Sequence, residues 1–345
     1  MKLFLTSVVA VFYLLFLGGC QTVDPVIESS SQSVNESDIE LTPCDNSGSF
    51  DCDEVITLEI ALEHVPDAQF KACLTENGER PEQVKSLFCD GYGIKTLEGI
   101  DQFLNISNLF LSNNELANVD LHKLSKLHTL HLEDNEITKL SLPESVERVF
   151  VNSNQLTGFQ THHLGNLRTL HVNDNRLDFF VAPPALVELE ARKNQLREVE
   201  LGKAIKLEEL NLGENQLVSL NLNRNLELST VWVDSNFLTH LNLRKNTLLK
   251  NAHASNNQIN HVVLKQNLSL ARLWLNNNQI QEIDLSYARN LIWLELEGNQ
   301  LTGIPLGLAT LENKAAKLYL SQNPWSSEQL AKLEKLRSRF RLLKY

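Results

Sequence analysis

From residue 84 onward the apolar positions fall into one recurring string, Leu-x-x-Leu-x-Leu-x-x-Asn-x-Leu. It reads in register as ISNLFLSNNEL (106–116), LHTLHLEDNEI (127–137), VERVFVNSNQL (146–156), LRTLHVNDNRL (167–177), LVELEARKNQL (186–196), LEELNLGENQL (207–217), LSTVWVDSNFL (228–238), LKNAHASNNQI (249–259), LARLWLNNNQI (270–280) and LIWLELEGNQL (291–301). VKSLFCDGYGI (84–94) opens the series with Tyr92 in place of the asparagine, and AAKLYLSQNPW (315–325) closes it. The asparagines recur every 21 residues, apart from two turns of 19 and a longer last one. Side chains alternate along extended backbone, so Leu-x-Leu predicts a short strand with both leucines pointing inward. The asparagine leaves that strand, and its amide can bond backbone groups that the tight turn would leave unpaired, which predicts a ladder from turn to turn. A second apolar set (Leu217, Leu220, Leu222, then Leu238, Leu241, Leu243) is too closely spaced for a full helix, and Pro143, Pro183, Pro184 and Pro305 fall in the same return segment. The return path is predicted to be extended or polyproline-like.

Ten in-register copies resemble the leucine-rich repeat, and the resemblance spans most of the chain. It implies an α/β repeat solenoid, a horseshoe with a parallel concave β-sheet, a mostly non-helical convex side and small helical caps at both ends. Composition agrees: 64 of 345 residues are leucine and 35 are asparagine, where a solenoid needs one buried set per turn. Residues 84–325 make about 11 to 12 turns. Within 44–83, Val55, Leu58, Leu62, Phe70, Cys73 and Leu74 recur at helical spacing around Pro66, which predicts a small N-terminal cap over the otherwise open first turn. VPDAQFKACL followed by IKTLEGIDQF resembles the segment that leads into the repeats of secreted bacterial leucine-rich-repeat proteins. Residues 326–345 predict a helical C-terminal cap, with Leu330, Leu333, Leu336 and Phe340 on one face and Ser326 and Gln329 placed as a capping box.

The first 19 residues hold one lysine and an apolar run from Leu3 to Leu17, short of a membrane span and suited to a signal peptide. Leu17-Gly18-Gly19-Cys20 resembles a bacterial lipobox, which implies cleavage before Cys20 and lipid attachment to its sulfur. Residues 20–43 are Ser-rich, acidic and poor in apolar residues, and read as a flexible tether. Gln21 stands where lipoproteins retained at the inner membrane carry Asp, so the expected location is the bacterial cell envelope, at the outer rather than the inner membrane. Cys44, Cys52, Cys73 and Cys89 then remain, an even number in an exported chain, which predicts two disulfides. Three pairings are open, among them Cys44 with Cys52 and Cys73 with Cys89.

The formal net charge is −12, which argues against nucleic acid as partner, because phosphate binding needs clustered Lys and Arg. Its distribution matters more than its size. Residues 21–70 hold twelve acidic and no basic residues, while residues 71–345 hold 31 acidic against 30 basic ones. The repeats are electrically balanced.

The residue between the two inward leucines points out of the concave sheet. Turn by turn it is Phe88, Phe110, His131, Phe150, His171, Glu190, Asn211, Trp232, His253, Trp274, Glu295 and Tyr319, with Trp293 two positions earlier on the same face. Aromatic residues are only 7% of the chain, yet Phe, Trp and Tyr fill half of this column. Aromatics are good strand formers, but exposed tryptophan marks interaction surfaces. Phe88, Phe110, His131, Phe150, His171, Trp232, His253, Trp274, Trp293 and Tyr319 are therefore the candidate partner-binding residues, with a mixed-charge rim that includes Glu188, Glu209, Arg148 and Arg272. A protein or peptide partner is expected, and cell-surface polysaccharide is the alternative. No catalytic motif is present, His131 and His171 lie about 9–10 Å apart by strand spacing, and neither catalysis, a metal nor a cofactor is expected.

Overall fold

The computed structural model describes residues 57–345. The expectations for the signal peptide, Cys20, the tether, Cys44 and Cys52 fall outside the described residues.

Thirteen three-residue strands, from Ser86–Phe88 to Leu342–Lys344, form one parallel sheet in which each strand pairs with those of the turns before and after it. Pairing keeps every turn in register, for example Phe88 with Phe110 and Trp232 with His253. The central residue of each strand points inward and is buried, as at Leu87, Leu109, Leu130, Val149, Leu170 and Leu189. The molecule is a leucine-rich-repeat horseshoe.

The consensus asparagines build the expected ladder. Asn215 Oδ1 accepts from the Leu196 amide at 3.0 Å, and its Nδ2 donates to the carbonyls of Ala191 (2.9 Å), Leu212 and Gly213. The same pattern repeats at each consensus asparagine from Asn114 to Asn323. The residue just before it is left-handed in every turn, φ being 58° at Asn113, 54° at Lys193 and 54° at Glu214. Gly298 takes this place once, and a Cβ there would sit 2.5 Å from Asn277 Oδ1.

The return path is extended, as its short apolar spacing predicts, and three parallel two-strand patches form along it: Asn118–Asp120 with Lys139–Ser141, Phe179–Val181 with Glu198–Glu200, and His240–Asn242 with His261–Val263. A second ladder runs here that the sequence reading passed over. Asn225, Asn246 and Asn267 are fully buried, and each Nδ2 donates to two carbonyls of the preceding turn, Asn225 to Leu201 (3.0 Å) and Ala204 (2.8 Å). Their Oδ1 atoms accept no hydrogen bond among the described residues. The signal was legible in NLNRNLEL, NLRKNTLL and VLKQNLSL, where Asn stands at the place taken by Leu or Ala in other turns.

Two short helices close the N-terminal end, α1 (Leu58–Glu63) and α2 (Ala68–Asn77). Asp67 caps α2 through one carboxylate oxygen, at 2.9 Å from the amides of Gln69 and Phe70, and the other oxygen accepts from Lys95 and Thr96 of the first turn. Phe70, Cys73 and Leu74 seal that turn, and a Cys73–Cys89 disulfide ties α2 to the first strand. Gly99 (φ 90°) lets α1 approach, since a Cβ there would lie 2.5 Å from the His64 carbonyl oxygen.

The C-terminal end differs from the helix read in the sequence. Helix α3 covers Ser327–Leu336 with both arms of the capping box formed and Leu333 buried. It stops before Phe340, which lies in extended backbone and is buried, whereas Leu330 stays exposed. Residues Leu342–Lys344 then pair in parallel with Lys317–Tyr319 as the thirteenth strand. An open sheet edge carries unpaired backbone groups, and the last strand satisfies one row of them while α3 covers the core beneath. Among the described residues no helix is long and apolar enough to cross a membrane.

Candidate functional site

In-register parallel pairing stacks equivalent side chains at the strand spacing of about 4.8 Å, which is close to the van der Waals separation of aromatic rings. The concave column exploits this. Phe88, Phe110, His131 and Phe150 stack with centroids 4.6, 4.8 and 4.4 Å apart and planes within 11–15° of parallel. His171 ends this run edge-on to Phe150, its ring turned by 83°. A second run begins at Trp232, which lies 5.5 Å from His253; His253 in turn lies 3.7 Å from Trp274. Trp293 continues it from the neighbouring column, 6.5 Å from Trp274 and 5.3 Å from Tyr319, with Lys317 over its ring. Glu295 holds the column's own slot in that turn and accepts the Trp293 indole N–H at 2.6 Å. All ten candidate residues thus lie along one face, in two runs. Burial, assisted by the Arg272 charge, holds the His253 imidazole down to about 4, so it is neutral between its tryptophans.

Between the runs lie Glu190 and Asn211. Arg148, Glu188, Glu209 and Arg272, read from the sequence as rim, occupy the column beside the rings, in the same row as Trp293. The His171 ring turns toward this column, its Nε2 lying 2.9 Å from Glu188 Oε1. Glu190 accepts from Asn173 Nδ2 at 2.8 Å. Donor atoms of His171, Glu188 and Glu190 lie within 4.8 Å of one another, a grouping that the sequence reading missed because it paired His171 with His131 and not with the next strand. His131 instead faces Glu133 of its own turn at 3.4 Å. On the opposite side of the solenoid, a hollow of about 630 Å³ opens where Thr157–Thr161 forms no strand, lined by Phe159, His162 and Phe179.

No protein-family model matches the sequence, and no curated protein matches it. Solved structures do match in fold. An APL1 leucine-rich-repeat domain superposes with a TM-score of 0.68 at 20% identity, over 81% of this chain and 76% of that one. An internalin, InlF of Listeria monocytogenes, gives 0.60 at 19% over 82% and 96%. The LRIM1/APL1C complex gives 0.63 at 23%, over 73% of this chain and 50% of that one. These likenesses establish the leucine-rich-repeat fold.

Proposed function

We propose that this chain is a non-catalytic binding protein, anchored to a bacterial cell envelope through lipid on Cys20, that captures a protein or peptide partner on its aromatic concave face. The observation that carries the reading is the orientation of the rings. The faces of Phe110, His131 and His253 are covered by their neighbours at 3.7–5.5 Å, so the runs offer ring edges to a partner. Edges bear the positive part of the ring quadrupole and attract carbonyl oxygens, and their apolar carbons suit aliphatic side chains. Sugar rings stack on open aromatic faces, which these inner rings do not present, and this favours a polypeptide over polysaccharide. The LRIM1/APL1C structure, a complex between proteins, accords with that choice.

The test is capture from solubilised envelope by the full chain. Trp232→Ala with Trp274→Ala is expected to abolish capture while the thermal midpoint falls by only a few degrees, two exposed ring contacts being worth about 0.2–1 kcal/mol each. Unchanged capture overturns the proposal. Purified surface polysaccharide is expected to leave tryptophan emission unaltered. For the anchor, Cys20→Ser is expected to move the chain out of the membrane fraction on centrifugation.

A further inference from the structure

The break between the two ring runs has a definite chemistry. Its floor is Glu188–Glu190 and Glu209–Asn211, with Glu188 in register with Glu209. Like charges directly opposite on adjacent strands destabilise a sheet, and the basic groups nearby are engaged elsewhere. Arg192 pairs with Glu214 and lies close enough to Asp234 to act on its carboxyl. The Arg148 guanidinium donates to Thr129 Oγ1 at 2.8 Å. Among the described residues Glu190 and Glu209 make no salt bridge with Lys or Arg, and the salt-bridge partner of Glu188 is His171.

The wall of the break is aromatic. Trp232 is stacked on one side by His253, and its in-register neighbour on the other side is Asn211. Asn211 Oδ1 is occupied by the Gly213 amide at 3.1 Å, and Gly213 contributes no side chain. The indole therefore turns a face with no ring upon it toward three carboxylates. A flat cation fits such a place: guanidinium stacks on indole while its fork of N–H donors meets carboxylates edge-on, a combination that the compact lysine ammonium does not reproduce.

We propose that this break receives an arginine side chain of an extended partner segment, whose apolar side chains two and four residues to either side lie on the ring runs. The spacing supports it. From the centre of the break, His171 and Trp232 are one and a half strand spacings away and Phe150 and His253 two and a half, or about 7 and 12 Å. An extended segment rises about 3.3 Å per residue, placing same-face side chains two and four positions away at about 7 and 13 Å. The inference rests on the concave face taking a polypeptide, and it names the chemistry of that polypeptide.

The experiment uses the full chain and a fluorescein-labelled nonapeptide with arginine at position 5, leucine at 1, 3, 7 and 9, and serine elsewhere, followed by anisotropy with EDTA present. Replacing arginine by citrulline, its uncharged isostere, is expected to weaken binding about tenfold or more, with the lysine peptide in between. Glu188→Gln with Glu209→Gln is expected to bring the arginine peptide down to the citrulline level and to leave the citrulline peptide unchanged. Equal binding of the arginine and citrulline peptides to the unaltered chain overturns the inference, as does no binding of the arginine peptide at about 1 mM, far weaker than a specific contact of this kind. If envelope capture still depends on Trp232 and Trp274 while the peptides are not distinguished, the arginine assignment alone falls. If capture does not depend on them, the polypeptide reading falls with it.

Discussion

The two ring runs share one column of one sheet, yet they solve the same spacing problem differently. The N-terminal run alternates Phe and His, and its planes stay within 15° of parallel up to Phe150. A single six- or five-membered ring is thin and narrow, so it repeats at every strand without crowding. The C-terminal run is built on tryptophan, and its spacings swing from 3.7 to 6.5 Å with tilts of up to 36°. The bicyclic indole overlaps its neighbour's footprint, and the run accommodates this by placing His253 between Trp232 and Trp274 and by moving Trp293 into the adjacent column. Regular stacking makes the first run a stiff ridge. The second is more irregular and ends in a bare indole face at Trp232, beside the acidic break. The lesson is that identical backbone geometry sets the distance between side chains but ring size decides how much surface is left for a partner.

The separation of the runs can be broken mechanically. All four tryptophans, Trp232, Trp274, Trp293 and Trp325, lie C-terminal to Asn215, which is buried in the turn beneath the break and makes four ladder hydrogen bonds. Asn215→Leu leaves those groups unpaired and is expected to cost about 3 kcal/mol or more, at 1–3 kcal/mol per stranded buried group. Because a solenoid couples only neighbouring turns, denaturant unfolding should also split. Tryptophan emission, which reports the C-terminal part, should part from circular dichroism, which reports the whole. Coincident curves with an unshifted midpoint would show that the ladder does not couple the two parts.

Filling the break sharpens the comparison from the other side. Glu190→Phe with Asn211→Phe joins the runs through three new ring contacts, expected to add about 1–2 kcal/mol and raise the thermal midpoint by several degrees in a calorimeter. The same variant should lose its preference for arginine over citrulline. The smallest effect concerns His253. Above the unfolded value of 6.5 both states are neutral; as pH falls the unfolded chain takes the proton first, because the folded imidazole is held near 4. Stability is therefore expected to decline between pH 6.5 and about 4 and to level off below. His253→Phe should remove that part of the decline in thermal midpoints measured across this range, and a decline of unchanged size would mean that the imidazole is not buried as described.

Much of this was written in one dimension. The strands, the inward leucines, the first asparagine ladder and the membership of the concave column all follow from a fixed period and the alternation of extended backbone, since each turn repeats the last. The αL residue before each asparagine was not read, because Lys193 and Glu214 carry no local preference for that conformation and adopt it only because the ladder demands it. The thirteenth strand was missed for a similar reason: RLLKY has no repeat signature, and its partner is the open edge of a sheet that exists only once the turns have stacked. The His171–Glu188–Glu190 grouping joins residues on two strands, and the 19-residue turn between them fixes which carboxylates meet the imidazole.

The sequence by itself determined the solenoid, its register and which side chains share the concave face, because a repeat with one buried set per turn admits one arrangement of its core. Tertiary structure alone decided the orientation of those side chains: which rings cover one another, which turn aside, and where an indole face and three carboxylates are left open together. Orientation depends on ring size and on neighbours brought alongside from adjacent turns, and neither is encoded in the period.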